Sequence, residues 1–144
     1  MKTHKPTILV VNDDGITAPG IKALLETMAE IGRVVVVAPD SPQSGMGHAI
    51  TIGKPLRLDP VDIYEGIEMY RCSGTPVDCV KLAVNKIFKG KKPDLCVSGI
   101  NHGLNNSINI FERKYNVQTL NFEYQPLIHS IHTFLTQSQK PKPK

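Results

Sequence analysis

Apolar residues in this chain gather in three short uninterrupted runs and two stretches of helical spacing. The runs are Ile8-Leu9-Val10-Val11, Val34 to Ala38, and Leu95-Cys96-Val97. Being short and mostly β-branched, they read as strands buried on both faces, the pattern of a parallel sheet. Between the first two, Ile21, Leu24, Leu25, Met28 and Ile31 share one helical face. That spacing predicts a helix from about Ala18 to Ile31, capped by Thr17, with Pro19 in its first turn and Gly32 closing it as a C′ glycine. Val77, Val80, Ala83, Val84 and Ile87 predict a second helix, opened by Ser73-Gly74-Thr75-Pro76 and ended by the lysine-rich stretch 88–93. Lys54 to Asp59 and Ile67 to Cys72 alternate instead, as strands with one wet face do.

These elements make an α/β domain: a Rossmann-like three-layer fold with a mainly parallel sheet and an antiparallel hairpin inserted at about residues 49–72. In such sheets ligands bind beyond the carboxyl ends of the strands. The residues that follow the three buried strands are therefore the candidate site. The first strand runs into Asn12-Asp13-Asp14-Gly15, the second into a Pro-Asp-Ser-Pro-Gln-Ser-Gly loop ending at Ser44 and Gly45, and the third into a loop carrying Asn101 and Asn105. Two adjacent carboxylates repel unless a proton or cation lies between them, and a hard divalent ion held by oxygens resolves the conflict. Carboxylate, hydroxyl and amide oxygens without an obligatory histidine or thiolate favour Mg²⁺ or Mn²⁺ over zinc. The amino end of the first helix adds a dipole favourable to an anion such as phosphate.

Composition narrows the partners. At 144 residues the chain suits one domain, and 40% hydrophobic with 21% charged residues is ordinary for a globular protein. The net charge of +4 sits mainly after Phe111, where five basic residues face two acidic ones, so no basic face for a nucleic-acid duplex stands out in the body. No apolar run reaches the ~20 residues of a membrane span, and the charged start lacks a signal-peptide core. Cys72, Cys79 and Cys96 have no metal or redox spacing; they read as small buried hydrophobes in a reducing, cytoplasmic setting. His48 and His102 read as polar loop residues, and Asp78 as an acid complementing the dipole of the second helix.

Four ordered motifs resemble the SurE family of survival-protein nucleotidases. They are Val-Asn-Asp-Asp-Gly at 11–15, Ala-Pro-Asp at 38–40 with Gln-Ser-Gly at 43–45, Gly-Thr-Pro-Val-Asp-Cys-Val at 74–80, and Ser-Gly-Ile-Asn-His-Gly-Leu-Asn at 98–105. The resemblance implies a phosphomonoesterase that uses one divalent ion (Mg²⁺ or Mn²⁺) to hydrolyse nucleoside 5′- and 3′-monophosphates. It implies Asp13, Asp14, Ser44 and Asn101 as metal ligands, Asp13 or Asp14 orienting the water, and Asn105 facing the phosphate. Asn12, Gly45, Gly74 and Thr75 are assigned to the substrate. A different class, a non-catalytic phosphate-binding or receiver-like signalling module, also has paired acids after its first strand. It wants a lysine where this chain has asparagines at 101, 105 and 106.

The resemblance covers about residues 7–105, leaving a nucleotidase domain over 1–110 and a divergent tail over 111–144. The tail lacks the Tyr-Ser-Gly-Thr segment that family members carry, has no glycine after Gly103 and holds five of the eight aromatics. It reads as an interruption near Asn109, with a Lys-Pro end that stays disordered. The expectations that follow are an impaired activity, the loss of a family-like homo-oligomer, and an exposed apolar edge along the 94–99 strand.

Overall fold

A computed structural model of the chain describes residues 4–43 and 49–99 and the backbone of residues 119–121. Strand β1 (Thr7–Val11) leads to helix α1 (Pro19–Ile31), then β2 (Arg33–Pro39), β3 (Leu58–Val61) and β4 (Glu68–Cys72). Helix α2 (Pro76–Leu82) continues as a π-helical turn over Ala83–Ile87 before β5 (Leu95–Ser98) and β6 (Thr119–Asn121). The six strands form one sheet in the order β3-β4-β2-β1-β5-β6. All pairs are parallel except β3 with β4.

The strand period of two sorts the core into two layers. Ile8, Val10, Val34, Val36 and Val97 pack with Ile21, Leu24, Leu25 and Met28 of α1. Leu9, Val11, Val35, Val37 and Cys96 pack on the other face with Val77, Val80, Ala83 and Val84. Helices therefore cover both faces, and the uninterrupted apolar runs in β1, β2 and β5 are what such coverage requires.

Several local expectations are corrected. Ala18 caps α1 with its backbone alone and no side chain closes the turn, so Thr17 is not the cap. Gly32 is extended (φ −159°) rather than left-handed. It is small because a Cβ there would collide with the Pro6 carbonyl, which accepts from Arg33 N at 2.8 Å. The hairpin belongs to the main sheet: β4 lies parallel to β2, with Val36 opposite Met69 and Pro39 opposite Cys72. β3 begins at Leu58, four residues later than the alternation suggests, and its Pro60 is tolerated because β3 is an edge. β5 is not left open, since β6 from the tail pairs along its outer side. The second helix widens where Phe88 N reaches Ala83 O at 2.9 Å, and ends at Lys89 and Gly90, both with positive φ.

Leu9 is fully buried at the centre of the sheet. Leu9→Ala should lower unfolding free energy by about 2–5 kcal/mol, read as an earlier urea midpoint at unchanged slope.

Candidate functional site

The turn after β1 is shaped by Asn12. Its side chain is fully buried, and its amide closes on Gly15 in both senses: Nδ2 donates to the Gly15 carbonyl at 2.9 Å, and Oδ1 accepts from Gly15 N at 3.2 Å. Gly15 itself has φ +103°, a conformation L side chains rarely adopt. The loop after β2 docks on this turn. Ile16 N donates to Pro39 O at 2.9 Å, and Gln43 N donates to Asp13 O at 2.7 Å. On the other side Gly99 N donates to Val11 O at 3.0 Å, bringing the end of β5 alongside. Asp13 and Asp14, both half-buried, thus stand at the carboxyl edge of the central strand, between the ends of β2 and β5.

Their electrostatics are not those of a solvated turn. Asp13 Oδ1 is shut off from solvent and has no hydrogen-bond partner. Burial first, and the charge of Asp14 second, pushes the Asp13 carboxyl above the usual carboxylate range. An acceptor oxygen starved of donors beside a second carboxylate is a poor home for an anion and a good one for a cation. Among the described residues no group of three or more His, Cys, Asp or Glu gathers elsewhere or here. A divalent ion therefore fits the pair by chemistry, with the rest of its oxygens drawn from hydroxyl, amide or water.

Gly74 and Thr75, assigned to substrate from sequence, have structural partners at the start of α2. Thr75 is the N-cap of α2, its hydroxyl accepting from Asp78 N at 3.2 Å and lying 2.6 Å from the Ala49 carbonyl. A Cβ on Gly74 would sit 2.6 Å from Asp78 Oδ2. Asn12 likewise spends one amide N–H and one lone pair of its oxygen on holding the turn. The residue that sequence reasoning undervalued is Asp78. It is fully buried, and its carboxylate gathers Thr51 Oγ1 at 2.6 Å, Thr51 N at 3.2 Å and Thr75 N at 2.9 Å. Burial acts to raise its pKa, but these donors outweigh it and hold the carboxyl below its ordinary value. The capping-box spacing from Thr75 to Asp78 was the available signal; the tie to Thr51, 27 residues away, left none.

Ser44, Gly45, Asn101 and Asn105 lie outside the described residues, as do His48 and His102. Cys72, Cys79 and Cys96 are buried in the core, and burial pushes the Cys96 thiol up to about 12.

The two aspartates predict opposite pH behaviour. Asp13 has a raised pKa in the fold, so ionising it costs stability once pH exceeds that value. In EDTA at neutral pH, Asp13→Asn should melt higher than wild type, and the difference should vanish in acid. Asp78 has a lowered pKa, so its contribution is present above the ordinary carboxyl range and is lost as pH falls through the folded value. Asp78→Asn should melt lower at neutral pH, by about 1–3 kcal/mol of stability, with the gap closing in acid.

The survival protein SurE family model matches residues 8–112. The 5′-nucleotidase SurE of Cytophaga hutchinsonii is 67% identical over 106 residues, which cover 74% of this chain and 41% of that protein. Its counterpart in Flavobacterium johnsoniae is 68% identical over 111 residues, covering 76% and 42%. The SurE protein from Aquifex aeolicus has a similar solved structure, with a TM-score of 0.67 and 36% identity over 92% of this chain and 58% of that one. The chain spans about two-fifths of the length of the curated relatives it matches. Sequence and fold agree over the region that holds the paired aspartates, and the chain belongs to the SurE family.

Proposed function

We propose that this chain is a metal-dependent phosphomonoesterase that releases phosphate from nucleoside 5′-monophosphates, and also from 3′-monophosphates. The observation that carries the reading is the buried, partnerless Asp13 Oδ1 beside Asp14 at the carboxyl edge of β1. Its support from relatives is that proteins named 5′-nucleotidase SurE share this part of the sequence at 67% and 68% identity.

Asp13 and Asp14 would hold one Mg²⁺ or Mn²⁺, with Ser44 and Asn101 completing the set from the two neighbouring loops. When bound, such an ion neutralises phosphate charge and lowers the pKa of an attacking water. The chain's own part is placement. Asn12 and Gly15 fix the turn that carries both carboxylates at the end of β1. One of the two aspartates accepts a hydrogen bond from the water and holds it in line with phosphorus. α1 begins at Pro19, five residues after Asp14, and its dipole favours the phosphate dianion. Asn105 is the proposed contact to the phosphate, and Gly45 is a further proposed contact to the substrate. Asn12, Gly74 and Thr75, assigned to the substrate, also hold the scaffold of the site. No helix among the described residues is long and apolar enough to cross a membrane. A cytoplasmic setting is part of the same proposal and is supported by the three free thiols.

Phosphate release from 5′-AMP should depend on added Mn²⁺ or Mg²⁺ and stop in EDTA. Asp13→Asn should lower kcat/KM by about 10²-fold or more, since even partners behind a metal ligand are worth 10–100-fold. Release that survives both treatments would refute the reading.

A further inference from the structure

We propose that Cys72 and Cys79 are a dithiol pair that hydrogen peroxide oxidises reversibly to a disulfide, with Cys72 as the attacking sulfur. The inference stands apart from the aspartate site and from the reaction proposed for it.

Seven positions separate the two cysteines, a spacing without redox meaning in sequence. The fold brings them together. Cys72 closes β4, Cys79 lies in the first turn of α2, and the short turn from Ser73 to Thr75 doubles the chain back between them. Both side chains are fully buried in the core layer that α2 covers, in one cluster with Val77 and Val80. Their thiols hydrogen-bond to one another. Cys72 Sγ also accepts from Gly74 N at 3.3 Å. The backbone is anchored on each side. Asp40 N donates to the Cys72 carbonyl at 2.8 Å, and Cys79 N donates to Thr75 O at 2.9 Å.

The sulfurs are not equivalent. The bond from Cys79 first, with the Gly74 N–H beside it, holds the Cys72 thiol below its ordinary range, against burial and the nearby Asp78 and Asp40 carboxylates. Burial first, and the bond to Cys72 second, holds the Cys79 thiol well above that range. Cys96 belongs to the same layer, yet burial is the one influence on its thiol. A sulfur with two donors is the one that reaches the reactive thiolate form, and a neighbouring thiol is what resolves its oxidised state. Full burial keeps bulky oxidants out and selects a small neutral one.

Cys72 releases its proton to solvent, and its thiolate attacks one oxygen of the peroxide. The O–O bond breaks and hydroxide leaves, so the sulfur is oxidised to a sulfenic acid and the peroxide is reduced. The Cys79 sulfur then attacks the Cys72 sulfur, the S–O bond breaks, and the departing hydroxide takes the Cys79 proton as water. In sum, two thiols and one peroxide give one disulfide and two waters. The new bond ties the end of β4 to the first turn of α2, and an added dithiol undoes it.

The test treats the reduced full chain with hydrogen peroxide, checks the fold by circular dichroism, then denatures, alkylates and maps it by mass spectrometry. Trypsin cuts after Arg71 and Lys81, leaving Cys72 and Cys79 on one peptide and Cys96 on another. The first peptide should lose the mass of two hydrogens and resist alkylation, Cys96 should be alkylated, and dithiothreitol should restore both thiols. In Cys79→Ser, dimedone should trap Cys72 as its sulfenic acid. In Cys72→Ser, oxidation of Cys79 should slow about tenfold or more, as the thiolate is lost. The wild-type map needs no variant, so it decides the matter even where a serine disturbs the core. Cys96 oxidised as readily as Cys72, a disulfide between any other pair or between chains, or three free thiols after treatment overturns the proposal.

Discussion

β1 is held on both faces and both edges. Its apolar residues are buried between α1 on one face and α2 on the other, and both of its edges are paired, with β2 and with β5. A register shift by one residue would exchange Leu9 and Val11 with Ile8 and Val10 across the sheet and disrupt both core layers at once. The end of β1 is therefore fixed, and with it the point where Asp13 and Asp14 emerge. Asn12 spends its amide on Gly15 so that the turn leaves the sheet in one way.

Two buried or half-buried carboxylates in this chain have opposite histories. Asp78 is deeper but surrounded by donors from Thr51 and Thr75, and its charge is stabilised. Asp13 is shallower, has one oxygen with no donor and has a second acid beside it, so its charge is disfavoured. Burial acts in the same direction on both; hydrogen bonding decides the difference. The well hydrogen-bonded carboxylate builds structure, and the starved one is where an added cation gains most. Such under-satisfied groups are retained at sites that bind something the bare chain lacks.

Much of this arrangement was readable from residues alone. The runs at 8–11, 34–38 and 95–97 announce strands covered on both faces, and the helical spacing of Ile21 to Ile31 announces α1; the paired acids then fall at the sheet's carboxyl edge by topology. What stayed hidden has identifiable causes. Alternation in 67–72 reports one wet face but not strand direction, so the parallel pairing of β4 with β2 left no trace. β6 is three residues long, too short for any period to register. The inward turn of the Asn12 amide and the bond from Thr51 to Asp78 are contacts between groups whose spacing carries no pattern. For that reason the parts that Asn12, Gly74 and Thr75 play in the turn and at the cap of α2 were not legible in the sequence.

The central claim is that Asp13 and Asp14 together hold a divalent cation. Anomalous diffraction from crystals grown in Mn²⁺ tests it most directly. The account predicts one strong peak per chain within coordination distance of both carboxylates, lost in Asp13→Asn. A bound Mn²⁺ elsewhere, or none at saturating concentration with the two carboxylates well ordered, would contradict it.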